Sequence, residues 1–536
     1  MLPSSQPKMK MAGLRHMLQL ASGQVEVLEA LHKLDAALVS AQDEDGRTLA
    51  HVAAASGQVE VLEALHKLDA ALVSAQDTHG VTPAHFAADC GQVEVLEALH
   101  RLDAALVSAQ DEDGRTAAHV AAGSGQVEVL EALRKLDAAL VSAQTKDGRT
   151  PAHVAAGSGQ VEVLEALHKL DAGLIDAVLV SAHDEAGWTL ALFATTGGHV
   201  KVLEALHKLD AAVVSAQDED GRTPAHVAAA SGQVEVLEAL HKLDAALVSA
   251  QDEDGRTPAH VAAASGQVEV LEALHKLDAA LVSVQDKHGL TPVLVAAGRG
   301  QVEVLEALHK LDAALVSAQD EDGLTPALVA AGSGQVEVLE ALHKLDAALV
   351  SAQDKHGLTP ALVAVAIGQV DVLKALHKFD AALVSAQAED DRTPAHVAAA
   401  SGQVEVLEAL HKLDAGLIDA VLVSAHDEAG WTLALFATTG GHVKVLEALH
   451  KLDAAVVSAQ DEDGRTLAHF AAASGQVEVL EALHRLDAAL VSAQDKHGLT
   501  PAHFAADCGQ VEVLEALHRL DAALVSAQDE GTCCSW

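Results

Sequence analysis

Residues 232–265 read GQVEVLEALHKLDAALVSAQDEDGRTPAHVAAAS, and nearly the same 34 letters recur from Gly23 onward. The opening glycine falls at Gly23, Gly57, Gly91, Gly125, Gly159, Gly198, Gly232, Gly266, Gly300, Gly334, Gly368, Gly402, Gly441, Gly475 and Gly509. Twelve of the intervals are 34 residues long; the two that begin at Gly159 and Gly402 are 39. A fixed period of this size marks a solenoid, in which each unit buries its apolar face only against its neighbours. The repeat overrides the three or four globular domains that a length of 536 residues would otherwise suggest.

Within the unit from Asp43 to Gln76, Asp43-Glu44-Asp45-Gly46 is turn chemistry, with Gly46 suited to left-handed backbone. Thr48 reads as a helix N-cap, and the proline that follows this threonine in most units fits the first helical turn. Ala50-His51-Val52-Ala53-Ala54 makes a short first helix of small side chains, ended by Ser56-Gly57. Val59, Val61, Leu62, Leu65 and Leu68 form the apolar stripe of a second helix, with Glu60, Glu63 and Lys67 outside. Residues 69–75 read as an irregular exit that returns the chain to the next turn. The expected fold is an all-α repeat solenoid of stacked helix-turn-helix units with β-hairpin-like turns. At ordinary helix spacing it would be a curved rod on the order of 140 Å long.

The unit resembles the ankyrin repeat. Asp220 to Ala229 carries the turn and the T-P-x-H-x-A signature, and Gly232-Gln233-Val234-Glu235-Val236 matches the family's G-H-x-E-V segment. The resemblance spans roughly residues 11–530 and is specific because it recurs so often. Two departures stand out. The unit is one residue longer than the family's usual 33, the extra residue lying in the Leu-Asp-Ala-Ala-Leu-Val exit where the family has a glycine cap. Serine replaces the family's V-N-A asparagine, so a modification aimed at that asparagine is not available. The resemblance implies partner contacts from the turn and the end of the first helix, here Glu44, Asp45, Arg47, Ala55, Ser56 and their equivalents.

Composition narrows the function classes. Lys and Arg number 34 against 78 Asp and Glu, a formal net charge of −44, or about −3 per unit. Such a field repels phosphate backbones, so nucleic acid is not an expected partner. Half the residues are apolar, which excludes a disordered chain, yet only 2% are aromatic. The four cysteines suggest no disulfide framework and fit a reducing, cytoplasmic setting. No apolar run is long enough to cross a bilayer. A Gly-rich phosphate loop, a nucleophile elbow and a metal-ligand cluster are all missing from the sequence, so no enzyme, cofactor or metal is expected.

Order within the array adds detail. Residues 1–22 read as an N-terminal segment with a degenerate capping half-repeat, 23–530 as a continuous array and 531–536 as a tail. The block from Gly159 recurs from Gly402 almost letter for letter, with Gly173-Leu174-Ile175-Asp176-Ala177 and Gly416-Leu417-Ile418-Asp419-Ala420 as the inserts. Block copying of this kind means that identity between units is not by itself a sign of a role. The array breaks its own rule around Ile367, Phe379 and Asp391, where Asp replaces the turn glycine at a cost of about 1 kcal/mol. That is the expected weak joint. Cys533-Cys534-Ser535-Trp536 fits the usual prenylation pattern poorly and reads as an inert tail.

Two histidine columns run along the array. The first, His51, His85, His119, His153, His226, His260, His396, His469 and His503, is expected to tie each turn to the preceding unit through Thr and backbone groups. The second runs from His32 and His66 to His518 in the second helices, with Arg134 in its place once, and reads as filling or a solvated edge, with a pH-responsive column as the alternative. Protonating all 32 His would take the formal charge from −44 to −12. Asp-Glu-Asp-Gly lacks the later ligands of a calcium loop and reads as a plain turn.

The expected protein-binding patch lies where consecutive turns exchange Arg for an apolar residue. Leu290, Leu324 and Leu358 form it, with Ile367 at the end of a first helix, and Arg299, Lys287 and Lys355 relieve the acidic field. Leu294, Leu328 and Leu362 replace the signature histidine in the same units. Trp188 and Trp431 are secondary anchors, each read as standing alone at its turn. The expectation is a monomeric, non-catalytic scaffold for other proteins. A length-setting spacer and a fragment of a larger effector are the alternatives.

Overall fold

The computed structural model describes residues 25–170, 183–385, 387, 392–413 and 430–525. The N-terminal segment, both five-residue inserts, Asp391 and the tail with Cys533-Cys534 lie outside the described residues. The chain divides into two compact units, Met1–His288 and Gly289–Trp536, each built by stacking the same helical hairpin. The expected all-α solenoid is the fold.

One repeat shows how the sequence makes it. Asp43, only 3% exposed, accepts at Oδ1 from the amides of Asp45 (3.0 Å) and Arg47 (2.8 Å). Gly46 follows at φ 82°, and the turn closes through the Asp43 amide to the Arg47 carbonyl (2.9 Å). The turn is thus hairpin-like without building a strand. Thr48 caps the first helix, Leu49–Ala55, whose Ala53 and Ala54 are fully buried. These small side chains let the first helices of adjacent units approach closely. Gly57, at φ 74°, reverses the chain into the second helix, Val59–Leu68. Val61, Leu62 and Leu65 of that helix are at most 1% exposed; a fully buried Leu contributes about 1.5–3 kcal/mol relative to an exposed one.

The exit is more ordered than the sequence reading expects. Asp69 leaves the second helix in extended backbone and accepts from the Ala71 amide at 2.9 Å, capping a short 3-10 turn, Ala70–Leu72. The same Asp cap recurs at Asp103, Asp137, Asp210, Asp244 and beyond. A third helical element therefore stands where an irregular return was expected, because Asp hydrogen-bonds locally and starts a helix as readily as it ends one.

Neighbouring units are also joined through their turns. The Thr78 amide donates to the Asp45 carbonyl at 2.9 Å, Lys146 to Asp113 at 3.1 Å, and Lys496 to Asp463 at 2.9 Å. No helix among the described residues is long and apolar enough to cross a membrane.

Candidate protein-binding surface

The surface that remains for a partner is defined by what stacking consumes. The first histidine column is consumed entirely in the interior units. His51 accepts at Nδ1 from the Thr48 amide (3.0 Å), and its Nε2 donates to the Val81 carbonyl at 3.0 Å. His85 reaches Arg115, His119 reaches Arg149, His226 reaches Arg256 and His469 reaches Leu499 in the same way, at 2.8–3.0 Å. These bonds fix the Nε2–H tautomer and correct the expected direction: each ring ties its unit to the following one. Burial holds the His51, His85, His119, His226 and His469 rings below the ordinary value of 6.5, against the opposing pull of the backbone bond.

Where leucine replaces this histidine, the threonine loses its imidazole partner and still caps its helix. Thr325 Oγ1 accepts from the Leu328 amide at 3.3 Å, and Thr359 Oγ1 from the Leu362 amide at 3.2 Å. Leu294, Leu328 and Leu362 are at most 1% exposed, so they belong to the core. Thr291 Oγ1, in the Leu294 unit, is buried without a hydrogen-bond partner.

A second ladder was not visible in the sequence reading. The glutamine after most unit-opening glycines reaches back to the end of the first helix one unit earlier: Gln92 Nε2 to the Ala55 carbonyl (3.3 Å), Gln267 to Ala230 (3.2 Å), Gln510 to Ala473 (3.1 Å). His199 and His442 do the same job toward Gly157 and Ala400 at 3.0 and 2.8 Å. The second histidine column is half-buried in the interior units, as at His100, His241 and His309, whose Nδ1 atoms are buried without a partner. Phe379 stacks flat on one of these rings, His343, at 4.5 Å.

What remains open is the turn tips and the C-terminal ends of the first helices. Leu290 and Leu324 are half-buried there, Leu358 is 36% exposed and Ile367 55%. Arg299 and Lys355 are exposed; Lys287 is exposed too, its ammonium donating to the Glu253 carbonyl. The tryptophans do not stand alone. Trp188 packs against Phe193 (ring centroids 5.7 Å) and Trp431 against Phe436 (5.3 Å), which leaves both half-buried. Arg149 and Arg392 lie over the same two phenylalanines at 5.1 and 5.0 Å.

One feature of the first unit escaped the sequence reading, a groove of about 590 Å³ along the turns and first helices of successive repeats. Its floor is Val120, Val154 and the bare backbone of Gly123 and Gly157, with Phe193 at one end. The available signals were the two glycines and Thr145, which breaks the usual Asp-Glu-Asp-Gly turn. Among the described residues no group of three or more His, Cys, Asp or Glu is placed to hold a metal ion.

The ankyrin repeat family model matches residues 16–111, 102–176, 171–248, 192–286, 243–315 and 435–529. The TAL effector repeat model matches residues 333–369, a single unit whose hairpin is built like its neighbours. Among curated proteins, none matches the chain. The stretch without an ankyrin match includes the Leu328 and Leu362 units, where the signature histidine is lost but the stack continues through the threonine caps. Matched over more than half its length and built throughout its described residues from the same stacked hairpin, this chain belongs to the ankyrin repeat family.

Proposed function

We propose that this protein is a non-catalytic, monomeric scaffold of the cytoplasm that binds other proteins along its turn tips and first-helix ends. Ankyrin repeats are generally protein–protein interaction modules, and the buried polar groups of the turn and first helix are committed to joining units. The observation that carries the reading is Leu358 with Ile367. Leu34, Leu358, Ile367 and Val511 are the exposed large hydrophobic residues among those described. Leu34 and Val511 belong to the first and last described second helices. Leu358 and Ile367 share one interior unit, where no stacking requirement explains them. Leu290 and Leu324 extend this surface over the two preceding turns, with Arg299 and Lys355 as its basic rim. A net charge of −44 opposes a polyanionic ligand, so the short TAL effector similarity is read as a likeness of helical unit alone.

The test combines Leu290→Arg, Leu324→Arg and Leu358→Arg with Ile367→Ser, each residue being native at that position in other units. The fold is expected to persist and binding of a protein captured by the wild-type chain to fall at least tenfold. Unchanged affinity sinks the patch. The near-identity of most units favours a spacer as the second reading; that reading requires no stable protein partner and an activity that scales with the number of repeats.

A further inference from the structure

The groove in the first unit differs from its sister sites in the fate of one carboxylate. In the turns of Arg47, Arg115, Arg222, Arg256 and Arg465, the guanidinium pairs with the aspartate two residues earlier, at 2.8–3.4 Å. In three of these turns it is also drawn to the leading aspartate, as in Arg222–Asp218 and Arg256–Asp252, both 2.9 Å, and Arg465–Asp461 at 4.0 Å. The leading position is Thr145 in the turn of Arg149. With no carboxylate four residues back, Arg149 reaches forward to Asp184 of the next turn (Nε to Oδ2, 3.3 Å) and lies over Phe193. Asp147 is thereby left exposed, with no ion pair among the described residues, on the lip of the groove.

The floor of the groove is open at glycines in two consecutive repeats, a pattern that Gly298 and Gly332 repeat in the second compact unit. Gly123 and Gly157 stand where other units carry Ala55, Asp89, Thr196 or Ala230. A Cβ at Gly123 would come within 3.1 Å of Val154 Cγ1, so the glycine also lets that valine settle low. The corresponding register one copied block later is filled: Ala366 for Gly123, Ile367 for Ser124, Ala400 for Gly157, and Leu358 for Arg115. The two places therefore present different chemistry. One unit has a trough that Arg115 and Arg149 also line, each held by its own carboxylate (Asp113 and Asp184), so that Asp147 is the charge left over; the other has an exposed apolar pair.

We propose that the groove receives a lysine or arginine side chain presented by an extended segment of a partner protein. The aliphatic stem lies on Val120, Val154 and the glycine backbone, and the cationic head meets Asp147. This rests on the scaffold reading and narrows it to a partner chemistry for the first unit.

The experiment selects a displayed library of random dodecapeptides on the full chain at near-physiological salt, then measures the enriched peptides by fluorescence anisotropy. Enriched sequences are expected to share one basic residue, and replacing that residue by leucine removes binding. Asp147→Asn is expected to weaken the peptide about fivefold, the upper range for one exposed ion pair. Ser124→Ile, which introduces the residue native at 367, is expected to block it by at least tenfold with an unchanged circular dichroism spectrum and melt. Asp220→Asn, in a turn whose aspartate is already paired with Arg222, serves as the control for the general acidic field and is expected to change nothing. Failure to enrich a basic residue, equal loss in Asp220→Asn, or no loss in the two groove variants overturns the proposal. If the groove variants do nothing while the Leu358 and Ile367 changes release a protein partner, only the groove assignment fails. If the chain retains neither peptide nor protein on any face, the scaffold reading fails with it.

Discussion

Replacing His226 tests whether the first histidine column is the fastener between units. The ring is 1% exposed, accepts from the Thr223 amide at 3.2 Å and donates to the Arg256 carbonyl at 2.8 Å. His226→Ala removes the ring, leaves a cavity between two first helices and strands a buried donor and a buried acceptor. Each stranded group costs about 1–3 kcal/mol and the cavity adds to it, so a loss of about 3–5 kcal/mol is expected. His226→Leu is a different perturbation. Leu328 and Leu362 show that leucine fits this position at no more than 1% exposure, and that Thr325 and Thr359 still cap their helices beside it. The Thr223 amide and the Arg256 carbonyl lose their partners here too, but the leucine fills the space, so the expected loss is about 2–4 kcal/mol, below that of the alanine variant.

Guanidinium chloride unfolding followed by far-ultraviolet circular dichroism distinguishes the two. Because repeats couple only to their neighbours, a weakened joint opens before the rest and moves the onset of the transition more than its end. The alanine variant is expected to begin unfolding at clearly lower denaturant than the leucine variant, with wild type last. If leucine is as damaging as alanine, filling the space left by the ring contributes nothing and the account of the Leu units is wrong. If alanine costs less than about 1 kcal/mol, the histidine is not a fastener at all.

Acidification supplies a second test. The lowered folded pKa of His51, His85, His119, His226 and His469 means that the unfolded chain takes up protons first, so their contribution is complete above 6.5 and declines as pH falls below it toward the folded values. Melting temperature is expected to drop between pH 7.5 and 5.5, with a slope of at most about 1.4 kcal/mol per pH unit for each ring; relief of the acidic self-repulsion acts in the opposite sense, and His226→Leu is expected to shrink the drop by one ring's share. A flat melt in wild type and variant alike contradicts the buried-neutral assignment. Glycine position supplies a third: Gly232→Ala places a Cβ 2.6 Å from Gln267 Oε1 at a φ of 75°, and is expected to cost about 2 kcal/mol. Gly157→Ala, whose Cβ would meet Phe193 at an ordinary 3.7 Å inside a helix, is expected to be neutral or to stabilise by about 0.5–1 kcal/mol; equal effects of the two on denaturant midpoint contradict the steric argument.

The period, the two main helices, the turn and the threonine cap were legible because each is written in local chemistry within one unit. Apolar spacing gives Val59–Leu68, and Gly46 and Gly57 mark the places where backbone must turn left-handed. The links between units were much less legible. A glutamine following a glycine reads as a solvated loop residue, and nothing local says that Gln267 will reach Ala230. The direction of the histidine bond was misread for the same reason, since Thr48 lies in the same unit as His51 but the carbonyl it grips is thirty residues ahead. Trp188 was read as solitary because its partner, Phe193, lies across the turn and into the next helix.

Departures from the repeat divide by whether the stack absorbs them, and this division locates binding better than residue type does. Leu328 and Leu362 replace a histidine and stay buried, while Thr325 and Thr359 keep the cap. Phe379 replaces a leucine and finds the face of His343. Trp431 interrupts a charged turn and settles on Phe436. Each of these changes looks conspicuous in the sequence but leaves little new surface, because a neighbouring unit offers a fixed set of partners and a side chain that meets them becomes part of the joint. Ile367 and Asp147 are the opposite case. Ile367 occupies a position where serine normally ends a helix, and 55% of it stays exposed. Asp147 is unchanged in sequence, but Thr145 two residues earlier diverts Arg149 away from it. An aspartate that matches the repeat at every letter thus becomes a site through the loss of its neighbour's alternative, whereas a tryptophan that breaks the repeat becomes core. In a solenoid, residual surface follows from unmet partners, so substitutions at Ile367 and Asp147 are expected to alter binding more than stability, and substitutions at Trp431 and Phe379 the reverse.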